Sequence, residues 1–134
     1  MKQLKEQLLK ETVNFYNAEN RSVSDEYECV YENITNKHCA IGRILTKTAL
    51  KNIKNKGYNS GTGVEELNDL IPLKTILVKK YKPLYKSIRF LESIQLLHDR
   101  VSNWTDKGIS NTGKKEVKQI CKRFKLNSKK ILTK

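Results

Sequence analysis

The sequence predicts a mainly α-helical domain with one small β-hairpin, a compact α+β unit, and three observations lead there. Apolar residues recur at three- and four-residue steps through most of the chain, the spacing of helices that lay one stripe on a core. One stretch, residues 27–41, alternates with period two instead. Hydrophobic residues make up 37% of the 134 positions, enough for a core and too many for a disordered chain. A chain of this length closes around one core, so 1–134 is read as a single domain.

Leu4, Leu8, Leu9, Thr12, Phe15 and Tyr16 step along one face between lysines and glutamates and define a first helix over roughly 2–17. Tyr27, Cys29 and Tyr31 then alternate with Glu28 and Glu32, and a polar Asn33-to-Lys37 turn precedes His38, Cys39, Ala40 and Ile41. This is the β-hairpin signal. Ile41, Leu45, Ala49 and Ile53 step by four toward Gly57, which stops a second helix. Thr62 with Glu65 fits a capping box for a short helix through Leu67, Leu70 and Ile71, ended by Pro72.

The stretch Lys74 to Tyr81 fits a buried strand or a helical turn equally. Pro83 suits the first turn of a helix. Phe90, Ile94, Leu97, Val101 and Trp104 then form a long stripe, read as the central helix. Gly108 and Gly113 bracket a turn. Val117, Ile120, Cys121 and Phe124 make the apolar face of a last helix, and the tail from about residue 127 is expected to fray.

Lysine and arginine number 27 against 14 acids, a net charge of +13. Such an excess favours nucleic acid, a nucleotide or an acidic protein as partner; charge kept for solubility is the alternative. The signs are segregated. Residues 18–36 hold Glu19, Asp25, Glu26, Glu28 and Glu32 against Arg21, the run from Lys74 to Arg89 has no acid, and beyond Lys114 only Glu116 opposes the lysines. That distribution implies one anionic and one cationic face.

Three cysteines, an odd number, and an N-terminus charged throughout argue for a cytoplasmic chain with free thiols, and no apolar run has the roughly 20 residues of a membrane span. Cys29, His38, Cys39 and His98 are metal-ligand types, but the close-set pairs of a zinc site are missing and no metal is expected. His98-Asp99 resembles half of a metallohydrolase dyad, without the further ligands that chemistry needs. A relay from Cys39 to His98 and Asp99 is disfavoured because adjacent helical residues diverge by about 100°. No phosphate-binding loop or other cofactor motif occurs; Gly42 beside Arg43 fits either a nonspecific anion seat or a tight turn.

The sharpest binding feature is the lysine stripe Lys115, Lys118, Lys122 and Lys125, about one helical turn apart and able to follow a phosphate backbone. A solvated helix exterior is the plainer reading. Aromatic residues are sparse and none interleaves with these lysines in sequence, which favours duplex, structured RNA or a small phosphate ligand over a single strand.

Cys29-Val30-Tyr31, Lys37 to Arg43, Leu97-His98-Asp99, Asn103-Trp104 and Gly108 to Gly113 together resemble a family of small bacteriophage-encoded proteins, with a CxY hairpin leading into a CA[IV]GR helix. The resemblance spans roughly residues 3–125 and implies an accessory role in the cytoplasm of an infected bacterial host, with no catalytic assignment. On this reading the chain is a non-enzymatic protein that binds a phosphate-bearing partner, nucleic acid above all. Lys115, Lys118, Lys122 and Lys125, with Lys79, Lys80 and Lys82, supply its basic face. The alternative is a counter-defence protein that sequesters a nucleotide signal or inhibits an acidic host protein, with Arg43, His98 and Trp104 forming a pocket.

Overall fold

A computed structural model describes residues 1–21, 30–33 and 35–133. Among the described residues the architecture is mainly helical with one two-stranded antiparallel hairpin. Helix α1 (Lys2–Phe15) buries Leu8, Leu9 and Val13, and packs on α5 (Ile88–Asp99), on the 3-10 segment Lys79–Lys86, and on the last helix, α7 (Ser128–Leu132). Helices α3 (Val64–Leu70) and α6 (Asn111–Phe124) also pack on α5. Phe90, Leu91, Ile94 and Leu97 of α5 are fully buried between them. Helix α2 (Lys47–Asn55) and the short α4 (Leu73–Ile76) complete the helical set.

The predicted second-helix stripe is buried at all four positions, but the backbone is not one helix. Gly42–Ile44 is a 3-10 turn, Leu45 is extended, and α2 begins only after Thr46, whose hydroxyl accepts the Ala49 N–H at 3.1 Å. The break is caused by Leu45, which forms an antiparallel bridge with Leu77. Residues 74–81 therefore combine both readings: α4 supplies a helical turn, Leu77 the bridge, and a 3-10 segment follows. Pro83 lies inside that 3-10 segment, not in the first turn of α5. Gly57 ends α2 with a positive φ of 77°, as expected of a glycine stop.

Two further expectations need correction. The capping box is not made: Gly63 is the N-cap of α3, and the Thr62 carbonyl accepts the Tyr31 hydroxyl at 2.6 Å. The central helix ends at Asp99, so Val101 is 69% exposed on a 3-10 turn (Val101–Asn103) and Trp104 lies on a strand. The tail beyond residue 127 carries a further helix. The Glu6 carboxylate accepts the Asn127 N–H at 2.7 Å, Asn127 caps α7, and Ile131 is 1% exposed in the core.

The hairpin with regular strands is β1 (Trp104–Thr105) and β2 (Gly108–Ile109), where the sequence showed only a turn. The expected hairpin at 27–41 survives in its described part as a tight loop. Glu32 bridges His38, the Cys39 N–H donates to the Tyr31 carbonyl at 3.2 Å, and Asn36 turns the chain at a φ of 63°. Residues 27–29, and with them Cys29, lie outside the described residues.

Gly42 sits against this loop. A Cβ there would stand 2.0 Å from the Tyr31 carbonyl oxygen, while one on Gly63 would meet nothing. Gly42→Ala is expected to cost about 2–3 kcal/mol in a denaturant melt, because backbone must move, and Gly63→Ala to stay near neutral. Equal melts for the two variants would contradict this packing. Trp104→Ala should lose roughly 3–5 kcal/mol through the cavity it leaves; an unchanged midpoint would mean that the indole is not buried.

Candidate nucleic-acid interface and the buried histidine

Helix α6 owes its form to a firm start and an amphipathic body. The Ser110 hydroxyl accepts the Gly113 N–H at 3.0 Å, and Val117, Ile120 and Cys121 are buried. Gly113 is required because a Cβ would stand 2.5 Å from the Asn103 carbonyl oxygen. At the far end Lys125 takes the left-handed conformation, φ 59°, and the Leu126 N–H returns to the Cys121 carbonyl at 2.8 Å. Lys115, Lys118 and Lys122 thus lie on the helix, and Lys125 is the residue that closes it.

All four of these lysines are exposed, and none forms an ion pair with a described residue. Glu116, the one acid beyond Lys114, is turned away from them. Its carboxylate accepts the Arg100 guanidinium at 2.6 Å and the Asn103 amide at 3.3 Å, at 13% side-chain exposure. The exposed lysines of α6 therefore have no compensating acid among the described residues.

The middle basic run is less free. Lys80 pairs with Glu11 at 2.7 Å and lies over the Tyr81 ring, while Lys79 and Lys82 are exposed. This 3-10 segment packs on α1, α4 and α5, whereas α6 packs on α5, α7 and the 101–109 segment. The two runs share α5 as a support and otherwise rest on different elements.

Arg43, His98 and Trp104 do not line a shared cavity. Arg43 is half-buried at the surface, bound to Glu11 at 3.0 Å and 5.3 Å from the centre of the Phe15 ring. Glu11 is correspondingly acidic. Burial alone would raise its pKa, but the charged hydrogen bonds from Lys80 and Arg43 outweigh it and hold the carboxyl at about 2. Gly42 offers no anion seat, since its N–H donates to the Cys39 sulfur at 3.2 Å. Tight packing is the role the structure gives it.

His98 and Trp104 are core residues. The Trp104 indole donates to the Leu97 and His98 carbonyls, both at 3.1 Å, and the Tyr16 ring stands edge-on to both side chains. His98 is 0% exposed; its Nδ1 is 3.0 Å from the Asp99 carboxylate, and its Nε2 has no partner. The neutral tautomer with the proton on Nδ1 leaves only a bare lone pair buried. Charging the ring would bury an unsatisfied N–H as well, so burial lowers the pKa despite the opposing pull of Asp99.

Among the described cysteines, burial pushes the Cys39 thiol up to about 12 and the Cys121 thiol up to about 11. Neither is an activated nucleophile at neutral pH. His38 binds Glu32 at 2.6 Å, and Glu32 also holds Lys54; the Lys54 hydrogen bond is the main cause of the lowered Glu32 pKa. No helix of the described residues is long and apolar enough to cross a membrane.

The sequence reading missed Arg21 and Glu6, both charged and both buried. No periodicity marks such residues, because their partners are backbone groups distant in the chain.

His98 carries a pH prediction. Its folded pKa is lower than that of the unfolded chain, near 6.5, so the unfolded state takes up the proton first as pH falls. Stability should fall as pH drops below about 6.5, until the folded-state ring itself protonates. A proton NMR titration of the imidazoles should find His98 below the free-imidazole midpoint, and a midpoint above it would contradict the assignment.

Comparison of the chain with protein-family models, with curated proteins and with solved structures finds no match.

Proposed function

We propose that this protein binds nucleic acid through the cationic face of α6, stoichiometrically and without catalysis, as an accessory protein in the cytoplasm of a phage-infected bacterium. One observation carries the binding reading: Lys115, Lys118, Lys122 and Lys125 are exposed and unpaired while Glu116 is drawn onto Arg100 and Asn103. An exterior kept only for solubility gains nothing from removing the local acid. A phosphate-binding face does, because each lysine then presents its full charge. The net charge of +13 supports the same class of partner, and the likeness to small phage-encoded proteins supports the setting.

Backbone contacts of this kind predict affinity more than sequence preference. The pocket reading has less support, since His98 and Trp104 are occupied within the core.

The test is the salt dependence of binding to a duplex. Each phosphate-contacting lysine contributes near 0.9 to the slope of log affinity against log salt, so glutamine at all four positions should flatten that slope by roughly 3–4 units. Glutamine keeps the helix propensity of lysine, and the apolar face is untouched, so the variant should melt as the parent does. A quadruple variant that binds like the parent, or a parent that fails to bind at physiological salt, would overturn the proposal.

A further inference from the structure

The carboxyl end of α1, the β1–β2 turn and the first turns of α6 enclose a groove of about 640 Å³. Its cations are Lys10, Lys107 and Lys114, all exposed and free of ion pairs with described residues, and no acid is among the described residues that line it. Glu11, next to Lys10 in sequence, is held by Arg43 and Lys80. Phe15 forms one wall of the groove and is 51% exposed, although it belongs to a helix whose other large apolar side chains pack inward. Arg43 over the ring and the Tyr16 edge at 4.8 Å hold it in place. The Asn14 side chain beside it is exposed and makes no hydrogen bond with the described residues.

We propose that this groove takes an unpaired nucleotide at the end of a nucleic-acid strand, with the base stacked on Phe15 and the phosphates on Lys107 and Lys114. The inference rests on the proposed function and extends it, for Lys114 belongs both to the groove and to the basic side of α6. A duplex lying along α6 has its strand end led by that lysine toward the ring. A held, half-exposed aromatic ring beside lysines without ion pairs to described residues is the pairing that single-strand recognition uses, and it accepts any base because every base has a π face. The volume falls within the roughly 300–1,000 Å³ of small-ligand sites, and the Asn14 amide offers a donor and an acceptor to a base edge. An acidic peptide would satisfy the lysines but leave the ring without a stacking partner.

The experiment compares a blunt DNA hairpin with the same hairpin extended by unpaired nucleotides at its 5′ or 3′ end, with 2-aminopurine at the first unpaired position. The parent should bind one extended form about tenfold more tightly, the scale of one stacked base, with quenching of the 2-aminopurine. Phe15→Ala should abolish both the preference and the quenching while leaving blunt-hairpin affinity unchanged, and Phe15→Trp should restore them. Lys107→Gln should reduce the preference independently of the ring. Equal binding of blunt and extended hairpins by the parent would overturn this inference and leave the α6 reading standing, whereas no binding of either would overturn both. A polyglutamate peptide whose binding F15A and K107Q weaken, without any preference for extended DNA, would also overturn it in favour of an acidic protein.

Discussion

The last carbonyls of a helix have no partners within it, and at the end of α5 three side chains supply them. Leu97 accepts the Asn103 amide at 3.0 Å and the Trp104 indole, His98 accepts Trp104 and Arg21, and Asp99 accepts Arg21 at 2.9 Å. Much of the fold hangs on this cap. Asn103 and Trp104 can reach back only if the chain reverses after Asp99, which places β1 and β2 beside the end of α1, and the Ala18 N–H then bonds the Thr105 carbonyl at 2.8 Å. The guanidinium of Arg21 also places a positive charge at the negative end of the helix dipole.

Tyr16 ties that cap to the rest of the molecule. Its ring meets His98 and Trp104, and its hydroxyl donates to the His38 carbonyl at 2.7 Å, so the α5 end, the end of α1 and the loop before Gly42 share one buried contact. The same geometry starts α6: Asn103 accepts the Ser110 N–H at 2.7 Å and packs on Gly113. Residues that look like pocket chemistry in the sequence thus orient the helix that carries the lysines.

The electrostatic arrangement follows from where the acids are used. Glu11 is committed to Arg43 and Lys80, Glu116 to Arg100, and Glu6 to the start of α7. Each stabilises a contact between elements, and the lysines of α6 have no ion pair with a described residue. Surface ion pairs of this kind contribute only about 0–1 kcal/mol apiece, so their larger consequence is the pattern of charge that remains. The groove by Phe15 and the face of α6 are what remains.

The sequence by itself determined the helical class, helices α1 and α6 and most of the core, because an apolar stripe of period 3.6 needs no knowledge of what it packs against. It also determined the excess charge and the lysine face of α6. Tertiary structure decided whatever rests on contacts distant in the chain. The period-four run from Ile41 to Ile53 broke at Leu45 because Leu77 pairs with it, and the stripe through Val101 and Trp104 ended at Asp99 because side chains satisfied its last carbonyls. The tail folded because Glu6, 121 residues away, accepts its first N–H. The position of Phe15 belongs to the same class: no lysine of α6 is near it in sequence, and only the packing of α1 beside the β1–β2 turn brings an aromatic ring to the groove that Lys114 lines. Local spacing encodes which face of an element is apolar, while a hydrogen bond or groove between distant elements exists only once the core has set their distance.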